Sequence, residues 1–160
     1  FLTHLADAIN LSGRYADPAL AATQTPARIP AAMQARFART LGRIRIARGD
    51  VEAFVGAWLT EPKAHVFFAP PSRVPGIGAC AKALARRGAR LDLRTQALYD
   101  APAMYVNGER VTIPAAARAA LRRFADRRVL PAREAASLDA NAHALLHDWY
   151  RHGWLHLGTA

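Results

Sequence analysis

The stretch VPGIGACA, residues 74–81, carries the glycine spacing of a dinucleotide-binding turn, with Gly76, Gly78 and Ala81 in the G-x-G-x-x-A positions. In such a turn the glycines let the backbone approach a pyrophosphate at a helix N-terminus. That chemistry requires a strand that runs directly into the motif, but residues 70–75 contain three prolines, which cannot donate ladder hydrogen bonds. The sequence therefore predicts a loop followed by a helix over residues 79–88.

Histidines near the C-terminus have the other spacing that could support chemistry. His143 and His147 lie four residues apart, so a helix could present both imidazoles to one metal ion, and His152 and His156 follow. The general-base glutamate of an H-E-x-x-H motif is missing, and no cysteine lies nearby. We therefore predict partly exposed histidines on the solvent face of a helix, with no metal site. The sequence also contains neither a G-x-S-x-G motif nor a P-loop.

Composition limits the remaining function classes. A chain of 160 residues with a net charge of +10 suits one domain or two small ones and attracts polyanions. No run of five basic residues occurs, so a solvated surface explains the charge as well as nucleic-acid binding does. No apolar run is long enough to span a bilayer, and no signal peptide is recognisable. The single cysteine, Cys80, fits a reducing compartment, and we expect a cytoplasmic protein.

Two consecutive segments carry apolar residues at helical spacing. We predict helices over residues 31–47 and 50–60, with Asp50 as the N-cap of the second and Pro62 beyond its end. The stripes are wider than one neighbouring helix needs, and soluble monomers rarely expose so large an apolar patch. We predict a homodimer interface formed by Met33, Phe37, Leu41, Ile44, Val51, Phe54, Val55, Trp58 and Leu59. The alternative is that the second stripe packs against a later part of the same chain.

The second half of the chain alternates helical and strand patterns. A strand is predicted from residue 89, with Leu91 and Leu93 on one face, and Asn107-Gly108 is typical of a β-hairpin. Pro114 precedes a helix with an apolar stripe, and a further helix runs over residues 139–152 before a short final strand. We predict an α+β protein, mainly α, with a helical dimerisation region followed by a winged-helix-like domain and a small antiparallel sheet.

Five blocks, taken in order, resemble the C-terminal half of the bacterial cupin-4 (JmjC-type) ribosomal oxygenases. They are SGRYADPALAATQTPARIP, WLTEPKAHVFFAPP, LYDAPAMYVNGERVTIP, FADRRVL and LLHDWYRHGWLHL. The resemblance implies a linker over residues 1–19, with an opening helix and loop, that leaves a jelly-roll domain. It further implies a dimerisation region over residues 20–70 and a winged helix over residues 71–160.

In this family the jelly-roll domain carries Fe(II) and 2-oxoglutarate and hydroxylates an arginine of a large-subunit ribosomal protein. Its iron site needs two histidines and a carboxylate in the pattern H-x-D/E…H. No histidine of this sequence has an acidic residue two positions later. The catalytic residues therefore cannot be transferred to this chain, which is predicted to contain no catalytic or metal-binding residue and no cofactor of its own.

Two function hypotheses follow from the sequence. The first is a non-catalytic dimerisation and winged-helix scaffold of such an oxygenase, whose ribosomal protein substrate would be its partner. The second is a stand-alone winged-helix protein that binds nucleic acid through Arg118, Arg122 and Arg123, exposed on the helix that follows Pro114. That helix offers alanine and arginine but no Asn, Gln or Ser to base edges. Any nucleic-acid contact is therefore expected to be non-specific.

Overall fold

A computed structural model describes residues 2–3, 27–100 and 103–158. The chain divides into two compact units, residues 1–54 and 55–160. The first contains helix α1 (Ala31–Leu41) and the start of helix α2 (Arg48–Thr60), which ends in the second unit. The linker predicted over residues 1–19, with its opening helix and loop, lies largely outside the described residues.

Both helices differ at their ends from the predicted ones. Helix α1 ends at Leu41 rather than at the predicted residue 47. The next residue is Gly42, a poor helix former, and the chain turns there. Helix α2 begins two residues earlier than expected. Asp50 lies inside its first turn and is not the N-cap; its Oδ2 atom accepts a hydrogen bond from the Ala47 N–H at 2.9 Å. The carboxylate therefore caps the helix from within, at the end where negative charge is favourable.

The second unit follows with four helices and six strands among its described residues. After the end of α2, the elements are α3 (Ile77–Arg87), β1 (Ala89–Leu91), β2 (Ala97–Tyr99), β3 (Met104–Val106), β4 (Glu109–Val111), a 3₁₀ turn (Ala115–Ala117), α4 (Arg118–Arg127), β5 (Val129–Leu130), α5 (Ala132–Ala136), α6 (Ala140–Arg151) and β6 (Leu155–Leu157). The predicted loop before α3 is confirmed, because no strand leads into Gly76.

The strands form two antiparallel three-stranded sheets. In the first, β1 is central between β5 and β6, and Ala89 pairs with both Leu130 and Leu157. In the second, β3 is central between β2 and β4. The predicted hairpin is confirmed: Asn107 and Gly108 both have positive φ angles, 50° and 90°, as the type I′ turn between β3 and β4 requires.

Helices and sheets of the second unit enclose one apolar core. It includes Leu84 of α3, Phe124 of α4, and Leu146 and Trp149 of α6, all at most 2% exposed. The Asp139 carboxylate caps α6 as predicted, accepting a hydrogen bond from the Ala142 N–H at 2.8 Å. Within the described ranges, no helix is long and apolar enough to cross a bilayer.

The strand predicted from residue 89 is shorter than its apolar alternation suggested. It ends at Leu91, and Leu93 is 85% exposed instead of sharing a buried face with Leu91. The Asp92 side chain accepts a hydrogen bond from the Arg94 N–H at 3.0 Å, a local turn that competes with strand pairing. Strands β2 and β5 and helix α5 were not predicted, because each is at most five residues long and carries little periodicity.

Candidate functional site

Helices α1 and α2 present most of the predicted interface residues to solvent. In the first unit, Phe37 is 46% exposed and Leu41 60%, and helix α1 has no buried residue. In the second unit, Trp58 is 58% exposed and Leu59 52%. The remaining members are exposed (Val51 and Val55) or half-buried (Met33, Ile44 and Phe54). A contiguous patch of exposed apolar side chains is typical of a surface that meets a partner.

Helix α2 uses a different set of side chains for its intramolecular packing. Its buried residues are Gly56 and Thr60. Gly56 lies against the Tyr105 ring so closely that a Cβ atom there would be 2.3 Å from the ring carbon Cε2. The Thr60 hydroxyl accepts a hydrogen bond from the Gly108 N–H at 3.0 Å and donates one to the Gly56 carbonyl at 2.9 Å. The end of α2 is therefore held by the β3–β4 hairpin, which packs against the helix face that carries the small residues Gly56 and Thr60.

The hairpin contacts bear on the two packing alternatives for the α2 stripe. The face that meets the hairpin is the one with Gly56 and Thr60, whereas Trp58 and Leu59 keep more than half of their surface accessible. The packing of α2 against the hairpin therefore leaves more than half of the Trp58 and Leu59 side chains uncovered.

The three arginines predicted to contact phosphate have different surroundings. Arg118 is exposed as expected. Arg122 is half-buried, which corrects the prediction: it donates a hydrogen bond to the Asp100 carbonyl at 2.9 Å, and its guanidinium lies 5.1 Å from the centre of the Tyr99 ring. Asp100, directly after β2, lies next to α4. The residue pattern of the helix alone does not indicate this contact. Arg123 is exposed and bonded to Glu134.

The helix with the connectivity of a recognition helix is α6 rather than α4. Helix α6 follows α5 after the three-residue connection 137–139, as the second helix of a helix-turn-helix does. Helix α4 instead follows the 3₁₀ turn and leads into β5. The sequence-based choice of α4 as the nucleic-acid helix stays a prediction. The short helix α5, which gives α6 this connectivity, was not predicted.

The histidines of α6 are tied to the backbone. The Nε2 atom of His143 is 2.9 Å from the Ala135 carbonyl oxygen, and that of His147 is 2.9 Å from the Pro75 carbonyl oxygen. Both side chains are half-buried, which agrees with the predicted partial exposure, but their rings contact backbone carbonyls rather than solvent alone. Among the described residues, no three His, Cys, Asp or Glu side chains are grouped in a way that could hold a metal ion.

Asp92 is the centre of a polar cluster that the sequence did not indicate. It is 5% exposed, and its carboxylate accepts two hydrogen bonds from the Arg94 guanidinium, at 2.9 and 3.1 Å, while the other side of Oδ2 meets His156 Nε2 at 2.8 Å. The Arg94 hydrogen bonds hold the pKa of Asp92 well below its ordinary value, and that of His156 adds to the effect. The Arg128 guanidinium donates to the Asp92 carbonyl at 2.6 Å.

This cluster joins segments that are distant in sequence. Arg94 donates a further hydrogen bond to the Phe67 carbonyl at 2.8 Å, and Thr95 donates one from its hydroxyl to the Trp154 carbonyl at 2.8 Å. The chain before α3, the end of β1 and the start of β6 are thus held together at one point. We assign the cluster a structural role, since its donors are directed at the protein's own backbone.

The chain matches a winged-helix family in sequence and solved structures in fold, as the observed architecture indicates. Residues 31–156 match the family model described as ROXA-like winged helix. The fold is similar to that of YcfD, a ribosomal oxygenase from Escherichia coli, with a TM-score of 0.72 and 19% identity over 99% of this chain and 45% of that chain. A structure of YcfD with cobalt and 2-oxoglutarate gives a TM-score of 0.70 at 19% identity, covering 97% of this chain and 44% of that chain.

The extent of these matches defines what they show. The chain spans less than half of the length of the solved structures it resembles. At 19% identity the likeness shows the fold. No curated protein matches the chain in sequence.

Proposed function

Because the chain belongs to the ROXA-like winged helix family, we propose that it is the non-catalytic dimerisation and winged-helix scaffold of an oxygenase. The parent enzyme would be a cupin-4 (JmjC-type) dioxygenase that uses Fe(II) and 2-oxoglutarate to hydroxylate a large-subunit ribosomal protein. The match over residues 31–156 carries this proposal, and the similarity to a ribosomal oxygenase described with cobalt and 2-oxoglutarate supports it.

The residues of this chain do not fit an iron site of that class. No histidine is followed two positions later by Asp or Glu. The helical pair His143 and His147 is bonded to backbone carbonyls. Two histidines without a carboxylate lack the donor set of the facial triad. We assign Fe(II) and 2-oxoglutarate to another domain of the parent enzyme and derive no catalytic step from this chain.

The scaffold role rests on self-association through α1 and α2. A homodimer about a two-fold axis would bury the exposed apolar side chains against their own copies, because such an interface is self-complementary. Trp58 and Phe54 are the anchors we propose, since aromatic residues contribute most of the binding free energy in such interfaces. We further propose a cytoplasmic location, to which the buried thiol of Cys80 is suited.

Two measurements on the isolated chain test the proposal. Light scattering is expected to give the mass of a dimer, and a monomer at high micromolar concentration would contradict the scaffold role. Calorimetry with Fe(II) and 2-oxoglutarate is expected to show no stoichiometric binding. Micromolar iron binding that depends on 2-oxoglutarate would contradict the assignment of the cofactors to another domain.

Non-specific nucleic-acid binding is the second candidate function. The net charge of +10 favours it, and Arg118 and Arg123 of α4 are exposed. Arg122 contributes less, because its guanidinium is bonded to the Asp100 carbonyl and lies over Tyr99. Affinity is expected to be electrostatic and independent of sequence. A footprint on one defined DNA sequence that persists at elevated salt would contradict this expectation.

A further inference from the structure

Two arginines of the second unit meet one carboxylate, and a third, Arg133, precedes it in the chain. Arg123 donates hydrogen bonds to Glu134 from Nε at 3.2 Å and from Nη2 at 2.9 Å, and Arg127 Nη1 is 3.9 Å from Glu134 Oε1. The hydrogen bond from Arg123, together with the charges of Arg123, Arg127 and Arg133, lowers the pKa of Glu134. The three guanidinium groups and Glu134 are called the arginine cluster below.

Local structure explains why the arginine cluster forms. Arg123 and Arg127 are four residues apart on α4 and so lie on the same face, about one turn from each other. The two-residue strand β5 and Pro131 then reverse the chain into α5, which places Glu134 next to that face, with Arg133 one residue before it. Glu134 is mostly buried, with 17% of its side chain exposed, whereas the side chains of Arg123 and Arg127 are 46% and 62% exposed.

Charge in the arginine cluster is not balanced. Three positive groups and one negative group leave a net charge of +2. Among the described residues, the polar contact that Arg127 makes is the 3.9 Å approach of its Nη1 atom to Glu134 Oε1. Arg133 is exposed to solvent. Their guanidinium forks keep donors available for an external anion, and planar forks match phosphate oxygens in pairs.

The chemistry around the arginine cluster selects the kind of anion. The exposed positions of α4 carry Ala119, three arginines (Arg118, Arg123 and Arg127) and Asp126, whose carboxylate accepts a hydrogen bond from the Tyr99 hydroxyl at 2.8 Å. Of these side chains, the arginines can hold phosphates. Helix α6, the second helix of the helix-turn-helix, is fixed through His147 to the Pro75 carbonyl, and its exposed Asn141 and Arg151 lie near opposite ends. A backbone contact at the cluster therefore fits the molecule better than base reading by α6.

We propose that the arginine cluster binds the phosphodiester backbone of nucleic acid through Arg123, Arg127 and Arg133, with Glu134 holding Arg123 and Arg127 in place. The proposal rests on the second candidate function and locates it: the site is the junction of α4 and α5, not Arg118 and Arg122. Glu134 both positions the arginines and competes with the phosphates for them.

The test measures binding of a fluorescently labelled single-stranded RNA of mixed sequence to the whole chain by anisotropy, over a series of salt concentrations. Arg127→Ala together with Arg133→Ala is expected to weaken binding roughly tenfold per arginine at about 0.1 M salt and to reduce the salt slope by about 1 per arginine. The matched control, Arg86→Ala with Arg110→Ala, removes the same charge from exposed positions elsewhere. It should change affinity about twofold or less.

Glu134→Gln separates binding from a structural role. The amide keeps an oxygen that accepts from Arg123 but removes the competing charge, so RNA affinity should rise about threefold to fivefold. Weaker binding by this variant, with an unchanged fold by circular dichroism, would overturn the role given to Glu134. Single-stranded DNA of the same sequence should bind as RNA does, and a preference above about tenfold for either would contradict backbone-only contact.

The remaining outcomes distinguish the site from the function. If the wild-type chain does not bind RNA even at low salt, the second candidate function and the arginine cluster both fail. If the wild type binds and the control pair weakens binding more than the Arg127 and Arg133 pair, the function stands and the proposed site is wrong.

Discussion

Helix α1 has no buried residue, whereas the winged-helix part of the chain buries Phe124, Leu146 and Trp149 almost completely. Both regions have apolar stripes at helical spacing, so periodicity alone does not separate them. The difference lies in what surrounds each stripe. The winged-helix part supplies two sheets and several helices to cover its stripes, while α1 and α2 leave Leu41, Trp58 and Leu59 more than half exposed. An apolar stripe thus indicates a packing surface without identifying the partner.

The largest effect should separate the two regions by stability. Phe124→Ala removes a ring that is 1% exposed and should lower the free energy of unfolding by about 3–5 kcal/mol. Phe37→Ala, at 46% exposure in α1, should lower it by less than about 1 kcal/mol in dilute solution where self-association is absent. Chemical denaturation followed by tryptophan fluorescence measures both. Equal losses would show that α1 belongs to a closed core after all.

The next effect concerns self-association. Trp58→Glu places a charge at the centre of the proposed interface and should raise the dimer Kd at least about 30-fold, or about 2 kcal/mol. Leu93→Glu is the control, because Leu93 is 85% exposed and lies outside the two helices. Light scattering gives the mass, and circular dichroism checks that the variant is folded. A folded Trp58→Glu chain that dimerises like the wild type would contradict the interface.

A smaller effect tests how the hairpin holds α2. Gly56→Ala would bring a Cβ atom to 2.3 Å from the Tyr105 ring, and such overpacking costs about 1–3 kcal/mol. Tyr105→Ala removes the ring, so the double variant should be less destabilised than the sum of the two single variants. Gly49→Ala serves as the control, since a Cβ atom there meets no atom within 4 Å. Additive losses in the double-mutant cycle would argue against this contact.

The effect expected to be smallest near neutral pH is a pH dependence that arises from Asp92, because its contribution to stability changes only in acid. Its pKa in the folded chain lies below the ordinary value, so the carboxylate stabilises the fold above its unfolded-state pKa and this contribution is lost as the pH falls. Between about pH 5 and pH 2 the wild type should lose stability more steeply than Asp92→Asn, by at most about 1.4 kcal/mol per pH unit. The control is Asp148→Asn, whose carboxylate is exposed beside Arg151. Parallel acid profiles for wild type and Asp92→Asn would rule out the effect.

Local signals in the sequence identified most elements of the fold. The Asn107-Gly108 pair specified the hairpin because both residues accept positive φ angles, and Asp139 specified the start of α6 because its carboxylate caps the helix. The predicted α+β, mainly α, winged-helix class is confirmed. The missed elements, β2, β5 and α5, are so short that contacts with other segments, rather than their own residues, define them. The domain boundaries at residues 19/20 and 70/71 and the interface residues stay predictions.

The sequence by itself determined where helices and turns form, because capping, glycine spacing and apolar periodicity act between residues that are near in the chain. It also determined that no histidine here has the carboxylate neighbour of an iron triad. Tertiary structure alone decided which arginines stay accessible: Arg122 turns onto Asp100 and Tyr99, while Arg123 and Arg127 meet Glu134. It likewise decided that Asp92 is buried among Arg94 and His156 rather than exposed. These outcomes depend on contacts between distant segments, and a charge pattern read along one helix cannot contain them.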